Sequence, residues 1–201
     1  MRLSVRSLLV LVFGFGICHA QAAKPAQKFA WNWNEVQSAK KTLASEKKIS
    51  GGDRALLEKR IAQQYRGDPN PTKRAADTPV HLTDLNGDGI PEVIAQAVGD
   101  ELCSPTGNCA FWVFQKTSSG YRLILEKGAA QGFTIQPNRT NGYSDVVLTM
   151  HGAATEQELY LYKFEQNHYR RAACYDANWT YLDKNDELHE LKEPRLTPCK
   201  R

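Results

Sequence analysis

"FWVFQKTSSGYRLIL", residues 111–125, is two apolar runs parted by the polar tetrapeptide Thr117-Ser118-Ser119-Gly120. Its aromatic and branched side chains recur with a period of two, which is the period of a strand. A connection this short cannot cross over a sheet, so the two strands must be antiparallel neighbours. The pattern then returns. "LYLYKFEQNHYRRAA", residues 159–173, aligns with it without a gap, Trp112 matching Tyr160, Phe114 matching Tyr162 and Tyr121 matching Tyr169. Upstream, "DGIPEVIA" (88–95) aligns with "NGYSDVVL" (141–148). Each unit is a turn, a strand, a variable loop and a hairpin, and the first unit's longer loop carries Cys103 and Cys109.

Outward from these hairpins the period of two persists after about residue 80. "EVIAQAV" (92–98), "FTIQ" (133–136), "DVVLTMH" (145–151) and "HYRRAAC" (168–174) read as further strands, joined by turns such as "PNRTNG" and "EQN". The tail after Trp179 is charged and punctuated by prolines. Before residue 80 the reading is helical. Val36, Ala39, Leu43 and Ala44 share one face from Asn34 onward, and Gly51 and Gly52 end that helix. Asp53 is then a plausible N-cap for a second helix, in which Leu57, Ile61 and Tyr65 recur at every fourth position. Trp31 and Trp33 are expected to attach this αα-hairpin to the body. "RGDPNPTKRAADTP" reads as a linker; its Arg66-Gly67-Asp68 is a tripeptide that integrins bind, though this composition yields it by chance.

The first 20 residues have the order of a secretory signal: Arg2 and Arg6, an apolar run from Leu8 to Cys18, then small residues to an exit at Ala20-Gln21-Ala22. The run is shorter than a membrane-spanning helix needs. The expected organisation is a signal peptide over 1–20, a leader, helical hairpin and linker over 21–79, and a β-rich domain over 80–201. The fold class is α+β, with the N-terminal αα-hairpin packed on a curved, mainly antiparallel sheet containing about two repeats. Export places the mature chain in the periplasm or outside the cell. There an even count of four cysteines favours two disulfides over a zinc site. Three pairings exist; proximity favours Cys103–Cys109, leaving Cys174–Cys199 to pin the tail.

Residues 21–79 hold 12 basic and 6 acidic side chains, +6, whereas residues 80–201 hold 12 and 16, −4. The basic residues are not interleaved with aromatics, which excludes a nucleic-acid signature and leaves a solvated helix surface.

"DLNGDGIPE", residues 84–92, supplies oxygen donors at alternate positions: Asp84, Asn86 and Asp88, then Gly89, the carbonyl of Ile90, and Glu92. Hard cations such as Ca2+ take six to eight oxygens, which the side chains of a tightly curled loop can bring to one point. An EF-hand is excluded, because its twelfth position would be Ala95 and its flanks extended. The loop and the aromatic hairpin after it resemble the calcium-binding repeats of FG-GAP/VCBS-type secreted proteins. That resemblance implies calcium at 84–92, and propeller blades that recognise proteins or glycans. Two units cannot close a propeller, so a single curved sheet is expected. The second copy has Pro137 and Arg139 where donors should be, so no ion is expected there.

No motif of a nucleophilic hydrolase, zinc protease or nucleotide-binding loop is present. The two variable loops should share the sheet edge opposite the calcium loop, gathering Asp100, Glu101, Ser104, Thr106, His151 and Thr155 into one surface. The leading expectation is a non-catalytic module that binds a protein or a cell-wall glycan. The competing reading is a hydrolase with structural calcium, its acid or base among Asp100, Glu101 and His151; a purely structural envelope protein is the third.

Overall fold

The computed structural model describes residues 29–36, 41–152 and 156–200. The signal segment, the leader to residue 28 and Thr155 lie outside the described residues. Two helices, α1 (Gly51–Ala62) and α2 (Pro71–Asp77), precede nine strands: β1 (Val80–Thr83), β2 (Glu92–Gln96), β3 (Cys109–Thr117), β4 (Gly120–Ala130), β5 (Gly132–Thr140), β6 (Tyr143–His151), β7 (Glu156–Glu165), β8 (His168–Leu182) and β9 (Leu188–Pro198). Among the described residues each pair of named strands is antiparallel between chain neighbours, in sheets of order β1-β2-β3-β4 and β5-β6-β7-β8-β9.

The two hairpins correspond residue for residue. Val113 faces Leu125, then a bulge shifts the register so that Phe114 faces Leu123. Leu161 faces Ala173, and the same bulge puts Tyr162 opposite Arg171. The strand before each hairpin also enters alike, Val93 opposite Phe114 and Val146 opposite Tyr162. The strand–hairpin pattern and its alignment therefore describe real pairings.

The expected single sheet is instead two. Only Gln131 separates β4 from β5; β5 pairs with β6, and Gln131 N donates to Thr149 O at 2.7 Å. The reason lies in β3, where five consecutive residues, Ala110 to Phe114, are buried. A strand apolar on both faces needs cover on both, which a one-layer sheet with one helical layer cannot give to both units. Folding one unit onto the other buries Ile94, Phe111 and Val113 against Phe133, Val146 and Leu148. On the outer face of the first sheet, Trp112 and Phe114 are covered by Leu57, Ile61 and Tyr65. On the outer face of the second, Val147, Leu159 and Leu161 are covered by Phe29, Trp31 and Trp33. Trp31 and Trp33 thus roof the second sheet, against Tyr175 and Trp179, instead of anchoring helices.

The helical layer also differs. The first expected helix falls partly on residues outside the description, and the described residues 41–50 run as turns. Gly51 and Gly52 open α1. Its N-cap is Ser50, whose Oγ accepts from Asp53 N at 3.2 Å and donates to Asp53 Oδ2 at 2.9 Å. The first bond satisfies one orphan amide of the helix start and the second orients the hydroxyl that does so, and flexible glycines in the first turn do not prevent it. The expected linker contains α2, started by Pro71, whose missing N–H costs nothing in a first turn. Asp68 of the Arg-Gly-Asp tripeptide accepts from Asn70 N and from Arg74 Nε, with a side chain only 3% exposed. The charged tail is strand, β8 running on to Leu182 and β9 returning. It lacked a strong apolar period because β9 is a sheet edge with no buried residue, only Leu196 packing against the core. Cys103–Cys109 and Cys174–Cys199 are bonded, the pairing that proximity favoured. Among the described residues no helix is long and apolar enough to cross a membrane.

Candidate functional site

The loop between β1 and β2 is pinned by its second residue. Leu85 is fully buried in the inter-sheet core. Its carbonyl accepts from Ser144 N at 2.8 Å and Arg139 Nη2 at 3.1 Å, both from the second unit. Around that anchor the side chains cap the loop's own amides. Asp84 accepts from Gly87 N at 2.6 Å and Gly89 N at 2.9 Å, Asn86 Oδ1 from Asp88 N at 2.8 Å, and Asp88 Oδ1 from Ile90 N at 2.7 Å. Gly87 and Gly89 have φ of +80° and +81°, a region that favours glycine, and the Arg139 guanidinium lies against Gly87.

Glu92 is 1% exposed, and its Oε2 accepts from Leu85 N at 2.8 Å. Burial pushes its carboxyl above the usual range, the Leu85 amide opposes this, and the negative charge of Asp88 adds to the rise. Asp84 is held low, chiefly by the Gly89 amide. Asn86 Nδ2 stands between the acids, 2.9 Å from Asp88 Oδ2 and 3.3 Å from Glu92 Oε1, and 3.2 Å from Tyr143 Oη. A partial positive charge therefore sits where Asp88 and Glu92 meet, while Asp84 is turned toward the loop backbone. The three carboxylates do not come within 4.8 Å of one another; among the described residues only Asp183, Glu187 and His189, in the β8–β9 turn, form such a group. The donor set, three carboxylates, an amide oxygen and a backbone carbonyl, fits a hard dication in its chemistry. Asp84 and Asp88 are exposed, so core packing does not hold their side chains in place. Tyr143, Gln115 and Arg139 surround the loop unannounced by its motif; Arg139 stands where the second copy lacks a donor.

At the far ends of β2 and β6 the variable loops do meet. Asn108, 5% exposed, donates from Nδ2 to His151 O and accepts at Oδ1 from His151 N, both at 2.8 Å. Its Nδ2 also lies 2.8 Å from Thr106 Oγ1, which is 2.8 Å from Ser104 Oγ. Ser104, Thr106 and His151 are thus brought together. Glu101 is not with them: it lies beside Asp68 and Arg74, and its charge contributes to holding Arg74 protonated. Asp100 is exposed. Asn108, the side chain that joins the two units, was missed; only its place before Cys109 in a tight turn hinted at it. Ser104 Oγ is bonded to Thr106 and to Asn108 N, and among the described residues His151 Nδ1 has no partner. A serine–histidine pair is therefore not assembled. The hairpin aromatics Trp112, Phe114, Tyr121, Tyr160, Tyr162 and Tyr169 are all buried, so they form core and no exposed stripe.

His81, on β1 opposite Ile94, is half-buried. Desolvation pushes its imidazole below 6.5, against the opposing charge of Glu46 and with that of Lys48. The unfolded chain then binds the extra proton first as pH falls through 6.5. The stability contribution is complete above that value and is lost as pH falls toward the folded-state midpoint. Proton NMR should give a midpoint below 6.5, and His81→Gln should flatten the melting profile between about pH 7 and 5. A midpoint at or above the ordinary value would contradict the burial argument.

Comparison with protein-family models, curated proteins and solved structures finds no match. The resemblance to FG-GAP/VCBS repeats therefore rests on residues 84–92 and the hairpin that follows.

Proposed function

We infer that the chain is an exported β module, ordered by calcium at Asp84, Asn86, Asp88, Ile90 and Glu92, that acts by binding a protein or cell-wall glycan and not by catalysis. The observation that carries the binding reading is the reciprocal Asn108–His151 pairing. It ties the first unit's variable loop to the end of β6, so that Ser104, Thr106 and His151 share one polar edge. The unassembled Ser104 and His151 weigh against the hydrolase reading. Calcium would neutralise carboxylates crowded beside a buried glutamate; the chain's own contribution is to hold the loop through Leu85.

Co-sedimentation with insoluble cell-wall glycan, with release of reducing ends measured in the same tubes, separates the classes. Depletion of protein without sugar release, weakened by Thr106→Ala, supports a glycan-binding module. Sugar release abolished by His151→Ala would support the hydrolase instead, and neither effect would turn the search to a protein partner.

A further inference from the structure

Continuing the alignment of the two units upstream sets Pro137 against Asp84 and Arg139 against Asn86. Arg139 does not stay with its own turn. Its Nη2 donates to Leu85 O at 3.1 Å, and its guanidinium lies over Gly87, where an added Cβ would stand 3.2 Å from Nη1. The second unit thus delivers a positive charge to the residues on either side of Asn86. The amide of Gly87 is itself held by Asp84 at 2.6 Å. Guanidinium and Asp84 carboxylate therefore lie within about 8 Å, one Debye length at physiological salt.

Among the described residues Arg139 makes no salt bridge, so its charge acts on the loop through space and not through a contact pair. The Tyr169 phenol, whose hydroxyl donates to Ser144 O, lies in the same field. Burial chiefly pushes that phenol up, the negative charge of Glu92 adds to the rise, and the charge of Arg139 opposes it.

Two effects of this charge have the same sign. It repels a dication brought to the loop, and it offsets the mutual repulsion of Asp84, Asp88 and Glu92 when no dication neutralises them. The hydrogen bond to Leu85 O works the other way, by holding the loop in shape. Ser144 N holds that same carbonyl independently at 2.8 Å, so little shape is lost without Arg139. The charge outweighs the contact.

We propose that Arg139 sets the calcium affinity of the loop: a tethered cation from the second unit that weakens binding of the dication and stabilises the loop without it. The inference rests on the calcium reading of residues 84–92 and assigns the regulation of that site to a residue outside it.

The test is calorimetric titration of calcium into the mature chain and its Arg139 variants at low and high salt, with melting in chelator alongside. Arg139→Gln, and Arg139→Met with its stem kept over Gly87, should bind calcium about fivefold more tightly at low salt, the scale of one exposed charge pair. The gain should shrink at high salt, and Arg139→Lys, which keeps the charge, should stay near wild type. In chelator the uncharged variants should melt below wild type, and calcium should recover the difference. Equal or weaker affinity in the uncharged variants, while the wild type binds, overturns the proposal and leaves the calcium reading standing. A gain that persists at high salt, or appears equally in Arg139→Lys, assigns the effect to the lost contact and also overturns it. If one uncharged variant does not fold, the other decides. If no chain binds calcium, the calcium reading falls and this inference with it.

Discussion

Leu85→Ala is expected to lower the free energy of unfolding by about 2–5 kcal/mol, the range for truncating a buried leucine. Leu85 sits in the acidic loop between β1 and β2 but has no exposure, and it fills the core between the sheets beside Ile94 and Phe133. Its backbone also takes donors from Ser144 and Arg139, so the site can collapse little around the missing carbons. Urea denaturation should show the midpoint falling with little change in slope. Ile90→Ala, five residues on and 50% exposed, is the control and should stay within about 0.5 kcal/mol. Equal effects from the two would mean that the loop does not plug the sandwich.

Calcium at about 100 times its dissociation constant is expected to add ~2.7 kcal/mol of stability by linkage. At ~2–4 °C per kcal/mol for a chain of this size, melting should rise by roughly 5–10 °C. Asp88→Ala should remove both this shift and the calorimetric heat, since Asp88 carries one of the two acids that meet at Asn86. Binding requires the Asn86 amide nitrogen to yield its place between those acids to the ion, so the tyrosine it also contacts, Tyr143, should report the event as a change in fluorescence. If millimolar calcium moves neither signal, or moves the variant equally, the loop is a self-capped acidic turn. Leu85→Ala separates the two ideas, because its cost arises from packing and should appear in chelator as well.

The strands of the two hairpins could be read directly because alternation and short turns are local properties. Trp112 and Phe114 on one face and Phe111 and Val113 on the other were legible as a strand, and the structure shows both faces buried. They did not say what would cover each face. The helix starting at Gly51 was read with its cap three residues late, because a glycine pair ordinarily signals a stop and Ser50 with Asp53 outweighed it. Strand β9 gave no clear signal, since its half-buried face carries mixed side chains, of which only Leu196 packs against the core. At the candidate surface, residue types placed Ser104, Thr106 and His151 at the correct edge, but not Glu101. Its position depends on Arg74, a residue assigned to a linker.

The amino-acid sequence by itself determined the repeating antiparallel hairpins and an oxygen-rich loop before the first unit, both of which follow from residues a few positions apart; among three possible disulfide pairings it favoured the one formed without deciding it. The tertiary structure alone decided that the second unit turns over at Gln131 and lies on the first. That outcome depends on burying apolar faces remote in sequence, an energy no short window of residues contains. The same packing joined Asn108 to His151.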